Sequence, residues 1–118
     1  MKNNKFEQAG KVFRSLVNEA NNTKIGDYVR VPKNSDGLFG IAALAVAALN
    51  DLGAERIEPY EKELFGPFNL TVLCSANMIL ANYFLRDITQ FDRDDYEMLE
   101  RVCYSAQILY DKGIIRCF

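Results

Sequence analysis

Apolar residues recur at three- and four-residue spacing over residues 4–20. Phe6, Ala9, Phe13, Leu16, Val17 and Ala20 share one side, while Lys5, Glu7, Gln8, Lys11, Arg14 and Asn18 fall on the other. That period predicts an amphipathic helix. Asn21 and Asn22 supply its end, because asparagine tolerates the left-handed backbone that closes a helix. Two later stretches carry no charge at all: residues 37–50 (GLFGIAALAVAALN) and 66–85 (GPFNLTVLCSANMILANYFL). Ser35 or Asp36 can cap the first of these and Gly53 can terminate it. Its small residues Gly40, Ala43 and Ala47 form a stripe along which another backbone can approach, so this helix is expected in the middle of the fold.

The second uncharged stretch predicts a helix over residues 69–87 that is apolar nearly all round and therefore contacted on most sides. At 100° per residue, Thr71, Ser75, Asn82 and Arg86 share one narrow stripe, with Met78 in its gap. Asn77 falls opposite, among Leu70, Leu73, Ala81, Phe84 and Ile88, where a buried amide needs partners or costs about 1–3 kcal/mol. Asn77 is thus a candidate for fixing helix register or oligomeric pairing. With Asn82 and Arg86 it is also a candidate for lining a small-molecule pocket.

A last helix is predicted over residues 93–112. Asp92 is its cap, and Asp94, Asp95 and Glu97 lie in its first turn, where the helix dipole favours anions. Gly113 closes it, and Ile114 is placed for the accompanying apolar contact. Met98, Leu99, Val102, Cys103, Ala106, Leu109 and Tyr110 form the expected inward face. Tyr104 and Ile108 fall one turn apart on the polar face, beside Glu97, Arg101 and Asp111. An exposed aromatic and aliphatic pair rimmed by charge has the look of an interface, so Tyr104, Ile108, Arg101, Asp94, Asp95 and Glu97 are the interface candidates.

Between these helices the pattern is weaker. Residues 28–31, 56–58 and 114–118 are short enough to be strands of a small sheet or none, with 56–58 able to pair with 28–31 or with 113–118, or 28–31 with the C-terminal residues. Pro59 suits the first position of a short helix ending near residue 65, where Gly66 and Pro67 stop it. The fold expected is one mainly α domain over residues 1–118. It is a compact bundle of about five helices with at most a two- or three-stranded β element, and an α+β domain stands second.

Composition narrows the chemistry. The 118 residues include 49% hydrophobic and 25% charged side chains, as in an ordinary globular protein, and no histidine. Without imidazole there is no Ser–His or Cys–His pair and no histidine metal ligand. The run Asp92, Asp94, Asp95 and Glu97 offers oxygens to a hard cation, but helix capping accounts for the same residues, and no cofactor is expected. Three cysteines, Cys74, Cys103 and Cys117, make an odd set, and the chain start lacks an apolar signal segment, which together point to the cytoplasm. Residues 66–85 are long enough to cross a bilayer but contain Gly66, Pro67, Asn69, Thr71, Ser75, Asn77 and Asn82, so no membrane span is expected.

The net charge of −2 hides an asymmetry: residues 1–35 sum to +4 and residues 36–118 to −6. The basic residues are scattered without interleaved aromatics, which argues against direct nucleic-acid binding. These features lead first to a non-enzymatic cytosolic protein-binding factor, of the inhibitor, immunity or adaptor type found among bacterial and phage accessory proteins, with a homodimer expected. A helical protein that binds or sequesters a small molecule comes second, and a divalent-metal carboxylate enzyme third.

Overall fold

The computed structural model describes residues 4–22, 28–64 and 70–116. The elements are α1 (Lys5–Asn21), β1 (Val29–Arg30), α2 (Asp36–Leu52), α3 (Ala54–Ile57), a 3-10 segment (Glu58–Glu63), α4 (Leu70–Arg86), β2 (Gln90–Phe91) and α5 (Arg93–Asp111). The mainly helical architecture with a minor two-stranded sheet is the expected one. The ends of the four long helices fall within one or two residues of their predicted places, although Asn22 closes α1 at φ −92° rather than in the left-handed region expected of it, and Ser35 precedes α2 without a side-chain cap hydrogen bond. At α5, Asp92 Oδ1 accepts the Asp95 N–H at 2.9 Å and Asp95 Oδ2 accepts the Asp92 N–H at 3.4 Å, a reciprocal cap. At its other end Gly113 takes φ 78°, and Ile114 N–H donates to Leu109 O at 2.9 Å. This is the paired closure that needs a left-handed residue.

α5 is the most broadly contacted helix, lying along α1 and also touching α2 and α4, while α2 touches α1, α4 and α5 over smaller contacts. Nine α5 residues are buried, among them Tyr96, Glu100, Ser105 and Gln107, which patterning had not placed inward. Of the small-residue stripe of α2 only Ala43 packs against the core. Ala47 is exposed, and a Cβ added at Gly40 would meet nothing within 4 Å. The close approach occurs instead at Gly10 of α1, where a Cβ would stand 2.9 Å from ring carbons of Tyr104.

The sheet corrects two expectations. β1 does form, but its antiparallel partner is β2, with Val29 opposite Phe91 and Arg30 opposite Gln90. Residues 56–58 are helical, and residues 114–116 form no strand; residues 117–118 lie outside the described residues. Burial explains the choice of β2. Val29 and Phe91 both point into the core, Phe91 lies against Phe39 and Tyr96 at ring-centroid distances of 5.9 Å, and the Tyr96 hydroxyl donates to Val29 O at 2.6 Å. Among the described residues no single helix is long and apolar enough to cross a membrane. The bent pair Asp36–Leu52 and Ala54–Glu63, at 95°, meets that test by length and composition alone, while α2 buries Phe39, Ala42, Ala45, Val46 and Leu49 in the bundle.

Candidate functional site

α4 buries Val72, Leu73, Ala76, Ile79 and Leu80, the i, i+3, i+4 series that places one side of a helix against its neighbours. Half-buried Tyr83 continues that side. Its ring stacks on Phe39 at 4.0 Å, and its hydroxyl donates to Asp36 Oδ1 at 2.5 Å, which pushes the Tyr83 pKa up to about 12. The opposite side is equally apolar but uncovered. Met78 is 67% exposed, Leu85 81%, Phe84 45% and Ile88 37%, with Cys74, Asn77 and Ala81 also exposed among them. No charged residue precedes Arg86 on this helix. The result is an uncharged outer face with the large side chains Met78 and Leu85 two turns apart, where surface helices ordinarily place charge.

Asn77 is therefore exposed, correcting the expectation of a buried amide. Of the apolar residues expected around it, Ala81, Phe84 and Ile88 are themselves outward while Leu73 is buried, because a helix apolar on all sides gives patterning no means of telling which side faces in. Asn82 is half-buried at the flank, and its main-chain carbonyl accepts the Ile88 N–H at 3.1 Å, closing the helix where Asp87 turns to φ 55°. Arg86 is exposed beside it. Neither of two clefts near the C-terminal end of α5 is lined by Asn77, Asn82 or Arg86.

On α5 the interface candidates have local partners. Tyr104 and Ile108 are half-buried rather than outward: the Tyr104 ring covers Gly10, and Ile108 packs against the core. Sequence spacing put them on the polar face, but α1 occupies that face. Glu97 Oε1 accepts from Arg101 Nη2 at 2.5 Å, one helical turn apart. Asp95 is held in the cap with Asp92. Burial, then the neighbouring Asp92 charge, pushes the Asp95 carboxyl up to about 6. Asp94 is open to solvent beside Arg93 at 3.1 Å. Among the described residues no group of three or more acidic or cysteine side chains is arranged to hold a metal ion.

The polar feature that spacing missed is Glu100. It is fully buried and takes a two-pronged contact from Arg14, Nε to Oε2 at 2.5 Å and Nη2 to Oε1 at 2.7 Å. Burial raises the Glu100 carboxyl above its usual range, while the Arg14 hydrogen bonds pull it back. Nearby, Gln107 Oε1 accepts the Glu7 N–H at 3.0 Å, satisfying a donor at the open start of α1 from across the bundle. The only sequence signal for Glu100 was an acid between Leu99 and Val102. Cys103 is buried, and desolvation raises its thiol well above the ordinary range, so it is an inert core residue; Cys74 is exposed.

No protein-family model matches this chain, and no curated protein or solved structure matches it.

Proposed function

We propose that this protein is a non-enzymatic binding factor that works by protein–protein contact through the outer face of α4, and that the surface first pairs with a second copy of the chain. The observation that supports this is the group Met78, Phe84 and Leu85, left from 45% to 81% exposed on a helix without charge before Arg86, with Ile88, 37% exposed, just past its end. Burying a large apolar side chain fully is worth ~1.5–3 kcal/mol, so covering even part of this group gives association a driving force. An uncharged face meets its own copy without repulsion. Ala81, between Met78 and Leu85, lets two helices approach to the ~8–10 Å typical of packed pairs. A two-fold, antiparallel α4–α4 contact satisfies both copies at once.

A 17-residue helix is about 25 Å long and ~10 Å wide. One such face falls short of the ~800 Å² per partner of a standard interface. The pairing is accordingly weak, with a dissociation constant in roughly the micromolar range, and the same face is open to exchange for a stronger partner. That behaviour suits an inhibitor, immunity or adaptor protein, and the cytoplasm suits the exposed Cys74 thiol.

Sedimentation equilibrium between about 1 and 100 µM tests the reading. Wild type is expected to shift from monomer to dimer across that range, and Met78→Glu and Leu85→Glu are each expected to remain monomeric. A wild type that stays monomeric throughout, or a dimer that survives both substitutions, overturns it.

A further inference from the structure

A different part of the molecule carries a second site. After Gly113 the chain turns away from α5 and runs past the last turn of α2, leaving a cleft of about 610 Å³. Its apolar lining includes Leu52, Ile114 and Ile115; its polar lining is Asp51, Arg56 and Arg116. That volume lies in the roughly 300–1,000 Å³ range of small-molecule sites, which pair an apolar wall with a few polar groups. Among the described residues Arg14, Arg93, Arg101 and Lys112 each hold an acid within 3.1 Å, while the exposed Arg30 and Arg86 hold none and line neither cleft near the C-terminal end of α5. Arg56 and Arg116 hold none, although Asp51 lines the same cleft.

Two unengaged guanidiniums beside an apolar wall have a definite chemical preference. Their forked donors suit the two oxygens of a carboxylate or a phosphate, and the wall suits a hydrocarbon body. Among the described lining residues one acid stands against two cations, a balance that favours a ligand bearing a single negative charge. We infer that this cleft binds a small amphiphilic monocarboxylate, its apolar body on Leu52, Ile114 and Ile115 and its carboxylate between Arg56 and Arg116. The site is separate from the α4 face and does not depend on the pairing proposed for it.

Octanoate is the probe, followed by isothermal titration and by amide shifts in ¹⁵N-labelled protein. One octanoate per chain is expected, with the shifts centred on residues 51–56 and 113–116. Arg56→Gln and Arg116→Gln are each expected to weaken binding about fivefold or more. Both arginines are exposed, so neither change empties the core, and unfolding midpoints are expected to match wild type. Octanol and inorganic phosphate, which each present one half of the ligand, are expected to bind more weakly than octanoate. No binding at about 10 mM, equal binding of octanol or phosphate, unchanged affinity in both variants, or shifts centred on Met78 and Leu85 would each overturn the assignment.

Discussion

α4 carries no charge before Arg86, yet Met78 and Leu85 stand mostly in water. α5 carries seven charged residues among nineteen, yet Tyr96, Leu99, Glu100, Val102, Cys103, Ser105 and Ala106 are all fully enclosed. The two helices pack against one another, so the contrast arises from position within one bundle. α5 has neighbours on three sides, α1, α2 and α4, and of its enclosed polar groups Tyr96, Glu100 and Gln107 find partners across the bundle while the Ser105 hydroxyl finds none among the described residues. α4 has neighbours on one side, and half of its apolar surface is left over. A helix's composition therefore did not decide its depth, whereas the number of elements around it did. The lesson is energetic as well. Polar groups inside α5 are expensive to disturb, and apolar groups outside α4 are cheap to change.

The largest expected effect breaks that contrast at its most costly point. Arg14→Met leaves the Glu100 carboxylate enclosed without its cation and is expected to cost about 3–5 kcal/mol in urea unfolding at neutral pH. Glu100→Met is expected to cost clearly less, because the Arg14 side chain, 43% exposed, can turn to water. The double variant Arg14→Met/Glu100→Met should recover most of the loss, since apolar replacement of a buried pair is often nearly neutral. Equal losses in the two single variants would mean that the pair is not buried as described.

A second expectation concerns acid, and its sign follows from the raised pKa values. Asp95, lifted from its ordinary 3.8 to about 6, and Glu100, lifted by burial, hold their protons more tightly folded than unfolded. The Asp95 contribution to stability is therefore fully present below about pH 4 and is lost as pH rises through about 6, and that of Glu100 falls with rising pH in the same sense. Unfolding free energies measured at half-unit steps from pH 4 to 7 should fall across that window. Asp95→Asn should flatten the fall while keeping an oxygen for the Asp92 N–H. A slope of opposite sign, or one unchanged by the substitution, would contradict the enclosed environment of the cap.

The smallest effect sharpens the other side of the comparison. Leu85→Ser, at the most exposed apolar position, should change monomer stability by no more than about 0.5 kcal/mol, the usual range for surface sites. A loss several times larger, read by thermal unfolding at a concentration where the protein is monomeric, would show that α4 is covered within the chain.

Much of this structure could be read without coordinates, and the readable parts share a cause. The α5 cap at Asp92 and Asp95, its closure at Gly113, the end of α2 at Gly53 and the buried side of α1 depend on residues within one or two turns. Local spacing carries that information. The candidate surface was half legible: the uncharged run through α4 is plain, but a helix apolar all round has no pattern to say which half meets the core.

What only the tertiary structure decided depends on partners far apart in sequence. Glu100 is tolerable in the interior because Arg14, 86 residues earlier, forks onto it, and the open start of α1 is satisfied by Gln107, 100 residues later. Tyr104 is drawn off the surface by the missing side chain of Gly10. β1 takes β2 as partner because Phe91 joins Phe39 and Tyr96 in the core. By itself the sequence determined where helices begin, end and turn an apolar side. Which helix lies at the centre, and which apolar side stays uncovered, follows from packing, because burial belongs to a pair of surfaces rather than to either one alone.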